Sequence, residues 1–208
     1  MKKHACFVWL ALLMLAVFSG PATVQGALVD LSFSPAMQSV PVGGFVDVQL
    51  LADSNDATPL SISALDVILN YDATYLELQS VTNPGGQWFV SDFLPDMDGI
   101  NMPITDGDAL YTALAPGSSL PVTPPTLEVT TFRFVALAET PGTDVIMLAT
   151  LGASGETRVF GEGAQNNITG DFDSVATIRI VPEPASFILL AAGASSVLLR
   201  RRRSAQAG

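Results

Sequence analysis

Along most of residues 28–181 apolar and polar side chains alternate with period two, and helical periodicity nowhere persists beyond two turns. In Phe45-Val46-Asp47-Val48-Gln49-Leu50 the residues Val46, Val48 and Leu50 share one face. Leu65, Val67, Leu69 and Tyr71 form a second such set with Asp66 and Asn70 opposite, and Leu76 and Leu78 flank Glu77 in a third. Further strands are predicted over residues 28–33, 109–114, 126–136, 144–151, 157–160 and 175–181. Within 126–136 the apolar positions change parity: Leu127 and Val129 are odd, while Phe132, Phe134 and Ala136 are even. One extra residue in a β-bulge keeps both sets on the same face. Turn residues separate the runs at Pro41-Val42-Gly43-Gly44, Asn83-Pro84-Gly85-Gly86, Ala115-Pro116-Gly117 and Pro141-Gly142. Short strands, regular turns and no intervening helices predict an all-β fold, an antiparallel β-sandwich or barrel. Residues 91–108 are rich in Asp and poor in alternation, and they read as one long loop.

The two ends follow different rules. Lys2 and Lys3, an apolar run over residues 5–18 and the small residues Val24 and Gly26 have the order of a secretory signal peptide, cleaved after Gly26. At the other end stands Pro182-Glu183-Pro184, followed by an uncharged apolar run over residues 185–199 and then Arg200, Arg201, Arg202 and Arg203. As a helix that run of 15 residues is about 22 Å long, against a hydrocarbon core of about 30 Å, so it crosses only with local thinning and snorkelling arginines. The arginines read as a stop on the cytoplasmic side, which leaves residues 27–180 outside and 204–208 as a short cytoplasmic end. Small residues from Ala191 to Ser196 allow another helix to approach closely. Pro182 and Pro184 exclude regular helix or central strand, so the tripeptide reads as an extended segment that a processing enzyme can grip.

Removal of the leader changes the chemistry available. The single Cys and the single His go with it, as do both lysines, so residues 27–180 contain none of these types. This excludes a Ser-His-Asp or Cys-His nucleophile system, a zinc site of histidines or thiolates, and a Schiff-base lysine. Arg133, Arg158 and Arg179 face nineteen carboxylates there, which leaves a net charge of −16. Such a surface repels nucleic acid and anionic polymers, and is compatible with divalent cations and neutral glycans. With no disulfide to help, the apolar core must hold the domain; about 150 residues suffice, burying about 70% of the extended-chain surface.

Three sets of residues invite a functional reading. Asp96, Asp98, Asp106 and Asp108 gather carboxylates in the long loop, and calcium is the cation that takes six to eight such oxygens. The spacing is not that of an EF-hand, and solvated loop acids are the simpler reading. Paired carboxylates also serve glycosidases, so a polysaccharide hydrolase using Asp and Glu alone is the alternative to a non-catalytic binding protein. Trp88, with Phe89 and Phe93 near it, offers an aromatic face for stacking on sugar rings; otherwise it caps one end of the core.

Two resemblances add to this. Val181-Pro182-Glu183-Pro184, the short apolar run and the four arginines resemble the PEP-CTERM sorting signal. That resemblance implies a membrane-anchored precursor facing the periplasm, processing by an exosortase that reads Pro182, Glu183 and Pro184, and delivery to the cell surface or an exopolysaccharide matrix. The second is carried by residues 42–48, 64–72, 75–78 and 131–136, which are similar to strands of cohesin-like domains. It implies a jelly-roll sandwich of about nine strands, related to carbohydrate-binding modules, that takes a protein or glycan partner.

Overall fold

The computed structural model describes residues 28–183 except 55–59, 85–86, 95–99, 118, 123–125, 152–154, 163–165 and 173. These residues form fifteen strands and no α-helix. The segment whose sequence predicts a signal peptide and the apolar run of the tail lie outside the described residues. Among those described, no helix is long and apolar enough to cross a membrane.

Two sheets face one another. The smaller is built from β1 (Val29–Ser34), β3 (Phe45–Ser54), β10 (Leu127–Ala136) and β6 (Leu76–Thr82), in that order. The larger runs β2 (Met37–Pro41), β15 (Val175–Val181), β11 (Thr140–Leu148), β5 (Ala64–Tyr71), β8 (Asp108–Leu114) and β7 (Val90–Asp92), with β14 (Arg158–Phe160) also paired to β5. Two small ladders join β4 (Leu60–Ile62) to β9 (Leu120–Val122), and β12 (Thr150–Leu151) to β13 (Gly155–Glu156). The sheets are not wholly antiparallel, because β2 runs parallel to β15, with Ile180 opposite Val40 and Val181 opposite Pro41. The strand number exceeds nine because six strands of two or three residues, β4, β7, β9, β12, β13 and β14, add to nine longer ones.

Period-two patterning places the core. Val46, Val48 and Leu50 of β3, and Leu65, Val67, Leu69 and Tyr71 of β5, are all buried as the alternation predicts. They meet Leu76, Leu78, Phe132 and Phe134 from the other strands. Tyr111 packs edge-on against Phe132 at 5.4 Å, and Tyr71 against Phe134 at 5.2 Å. Burying each large aliphatic or aromatic side chain contributes roughly 1.5–3 kcal/mol, so a core of this extent needs no disulfide. The parity change in β10 is a bulge: Glu128 pairs with Leu51 and Thr130 with Leu50, so Val129 is the additional residue. Val129 and Thr130 are consequently both buried.

One edge of β5 is shared end to end. Residues 68–71 pair with β11, and Asp66, Leu65 and Ala64 pair with β14. Thr157 fills the junction: its hydroxyl accepts from the Ile68 N–H at 3.0 Å and donates to the Leu148 carbonyl at 2.6 Å. A buried amide that two strands leave between them is thus satisfied by a side chain. Ile68 points away from the inter-sheet core yet is fully buried. Gly155 of β13 lies against it, so that a Cβ there would sit 3.2 Å from the Ile68 Cδ1.

The stretch 91–108 is less of a loop than its composition predicts. It opens with β7, and Ile100 and Asn101 are buried. The Asn101 carboxamide imitates a strand along the edge of β8. Its Nδ2 donates to the Leu110 carbonyl at 2.9 Å, and its Oδ1 accepts from the Leu110 N–H at 2.8 Å.

Candidate functional site

The junction with the tail is the best-defined feature. β15 ends at Val181, whose carbonyl accepts from the Val42 N–H at 3.1 Å. The next two residues, Pro182 and Glu183, are exposed. Pro184, the apolar run and Arg200, Arg201, Arg202 and Arg203 lie outside the described residues. No spacer therefore separates the last strand from the tripeptide. Beside the exit point lies a cleft of about 300 Å³, lined by Glu139, Thr140, Pro141, Arg179, Val181 and Pro182. Arg179 and Glu139 are both exposed, and among the described residues neither makes an ion pair.

Of the four loop acids, Asp96 and Asp98 lie outside the described residues. Asp106 is exposed and Asp108 half-buried at the start of β8. Burial raises the Asp108 carboxyl above its ordinary range, and the neighbouring Asp106 charge adds to the rise. Among the described residues, no three acids gather into a metal-binding group.

Trp88 is corrected. It is only 6% exposed, and its indole N–H donates to the Val129 carbonyl at 2.9 Å. Gln87 Nε2 donates to the Glu128 carbonyl at 2.7 Å beside it. The two side chains satisfy carbonyls around the bulge in β10, so the ring anchors the bulge and is not offered to a sugar. Phe93 likewise packs inward, 6.0 Å from both Tyr111 and Phe132. Its neighbour Phe89 is the solvent-facing aromatic, 78% exposed.

A second exposed aromatic escaped the sequence reading. Phe45 is 64% exposed on the outer face of the smaller sheet. The Arg133 guanidinium lies 5.7 Å from its ring centroid. Arg133 is held by Asp47 through two parallel bonds of 2.7 Å, from Nε and Nη2. This bidentate pairing lowers the Asp47 carboxyl below its ordinary range. The signal was available in the sequence: Phe45 and Asp47 occupy the outward parity of β3, opposite the core set.

The comparisons with known proteins divide at the same point as the structure. Residues 181–203 match the PEP-CTERM protein-sorting motif. Comparison with curated protein sequences gives no match. The sandwich is similar to several solved cohesins. A cohesin module from a family 33 glycoside hydrolase of Clostridium perfringens shares 11% identity at a TM-score of 0.57, covering 76% of this chain and 99% of that one. The seventh ScaB type I cohesin of Pseudobacteroides cellulosolvens gives 16% and 0.53, covering 76% of this chain and 94% of its own. The third ScaC cohesin of Acetivibrio cellulolyticus, solved with the ScaB dockerin, gives 13% and 0.53, covering 74% and 99%. At these identities the likeness is one of fold.

Proposed function

We propose that this cohesin-like sandwich with a PEP-CTERM tail is a non-catalytic exported protein of the envelope or extracellular matrix, whose sandwich binds a protein or glycan partner. The observation that carries the reading is the order of parts. A folded β-sandwich runs to Val181, and the sorting motif starts at that same residue. The tail holds the precursor at the membrane, facing the periplasm, until an exosortase-type enzyme removes the arginine end. The sandwich then travels to the surface or matrix. One of the solved cohesins that it resembles is in complex with a dockerin. By analogy of fold alone, a protein partner is the first class to test, and a glycan the second. The exposed rings of Phe45 and Phe89 are the contact points that a ligand would meet. A hydrolase built on carboxylates is the weaker reading, since no observation among the described residues pairs a general acid with a nucleophile.

Mass spectrometry of the protein from an exosortase-positive host tests the sorting half. The mature chain lacks Arg200, Arg201, Arg202 and Arg203, and the double substitution Pro182→Ala, Glu183→Ala leaves the uncleaved form at the membrane with the sandwich folded. Replacing the four arginines by Ser has a different effect: the short apolar run loses its stop, so retention before processing fails. An intact C-terminus at Gly208 in the parent protein overturns the processing claim.

A further inference from the structure

We propose that the cleft at the base of the sandwich, flanked by Arg179 and Glu139, is a docking surface for the processing enzyme, so that the folded domain itself contributes to recognition of its tail. The inference rests on the sorting reading above and adds a second element of specificity to the tripeptide. Its first support is distance. Only Pro182, Glu183 and Pro184 stand between the last strand and the apolar run. Even fully extended, three residues reach about 10 Å. The bilayer's polar region is about 5–7 Å deep on each side, taking a total thickness of about 40–45 Å and a hydrocarbon core of about 30 Å. An enzyme gripping the tripeptide from within or upon that membrane therefore meets the base of the sandwich.

The second support is that the sandwich holds the motif's first residue in place. Val181 is opposite Pro41 in the parallel ladder, and its carbonyl is bonded to the Val42 N–H. The motif consequently leaves the domain in a set direction, and the groups beside it stand in a set place. The third is the chemistry of the cleft. Val181 and Pro182 form part of its wall, so it is continuous with the motif. Arg179 and Glu139 offer one cation and one anion, both exposed and free of ion pairs among the described residues. Across a domain that carries nineteen carboxylates against three arginines, a guanidinium next to the motif with no ion pair among the described residues is a distinguishing mark. Its planar fork suits a carboxylate or backbone carbonyls on a protein partner. A bilayer phosphate has related chemistry, but the surrounding acidic surface disfavours an anionic membrane. The enzyme is accordingly the occupant that we assign.

The test follows conversion of the full-length precursor by pulse-chase in an exosortase-positive host, with the C-terminus read by mass spectrometry. Arg179→Glu slows conversion about ten-fold, the effect of losing one hydrogen bond to a charged group from a transition state. The melting temperature of the sandwich stays at the parent's value, which separates this loss from unfolding. Inserting Gly-Ser-Gly-Ser between Val181 and Pro182 also slows the parent, because the motif and the cleft no longer meet the enzyme together. Adding Arg179→Glu to that insertion then has no further effect. A processed parent whose Arg179→Glu and Glu139→Lys variants convert at the parent's rate overturns the docking surface alone. A parent that retains Gly208 overturns the sorting reading and this inference with it. If Arg179→Glu instead weakens binding of purified precursor to vesicles of anionic lipid, and enzyme-free membranes retain less of it, the surface is a lipid contact and the enzyme assignment falls.

Discussion

Trp88 and Phe45 exchange the roles that their side chains suggest. Tryptophan offers the larger stacking face, but the Val129 carbonyl stands off the ladder at the bulge and needs a donor, which the indole supplies. Trp88→Phe keeps most of the apolar volume and leaves that carbonyl unsatisfied, at a cost of about 1–3 kcal/mol. For a domain of this size the melting temperature falls by about 2–4 °C for each kcal/mol, which calorimetry reads directly. Phe45→Ala has the opposite profile. The ring is mostly in water, so stability changes by no more than about 0.5 kcal/mol. A glycan or protein ligand that uses the smaller sheet's outer face loses affinity. Unchanged binding in both Phe45→Ala and Phe89→Ala would remove aromatic contact from the proposal.

Strand junctions carry the next level of organisation. β11 and β14 share the edge of β5, and Thr157 closes the gap between them. Thr157→Val preserves shape while removing the hydroxyl, so the Ile68 amide and the Leu148 carbonyl both lose their partner. The expected loss is about 1–3 kcal/mol in denaturant unfolding, with faster hydrogen exchange at Ile68. An Ile68 amide that stays protected would show that water replaces the hydroxyl. The edge of β1 is covered in a comparable way by residues 168–171, where the Val29 N–H donates to the Ile168 carbonyl and the Gly170 N–H to the Val29 carbonyl, at 2.8 and 2.7 Å. A Cβ on Gly170 would lie 2.9 Å from the Val29 carbonyl oxygen, a backbone atom. Gly170→Ala therefore loosens the cover, by about 1–3 kcal/mol of strain, and exposes an edge to strand pairing.

At the scale of the whole molecule, two carboxylates shifted in opposite directions shape the response to pH. The Arg133 bond holds the Asp47 carboxyl below its ordinary value of 3.8. Its contribution is complete above 3.8 and is lost as the pH falls through the lower folded value. Asp108 behaves in the reverse sense, being raised above 3.8 by burial and then by Asp106. It favours the folded state at low pH and penalises it once the pH has risen through its folded value. Asp108→Asn accordingly raises the melting temperature at neutral pH, and the gain disappears below 3.8. Asp106→Asn moves the Asp108 titration, followed by NMR, toward its ordinary value. A titration that does not move would show that burial alone sets it.

The sandwich with a sorting motif at its end, the core faces of β3, β5, β6 and β10, and the bulge in β10 were legible in the sequence, because alternation and charge placement are local properties that a linear reading captures. So was Pro182-Glu183-Pro184 as the point where the domain gives way to the tail. Other features arise only when distant segments meet. Ile68 is buried because β13 folds over it, and Asn101 serves as a strand because it lies beside Leu110. Trp88 turns inward because a carbonyl 41 residues away needs its proton. Likewise Arg133 reaches Phe45 and Asp47 only across the β3–β10 ladder. The close fit of Val181 against Pro41 and Val42 belongs to this group too. Parallel pairing of the first and last parts of the sandwich leaves no trace in either segment alone, yet it fixes where the sorting motif leaves the fold.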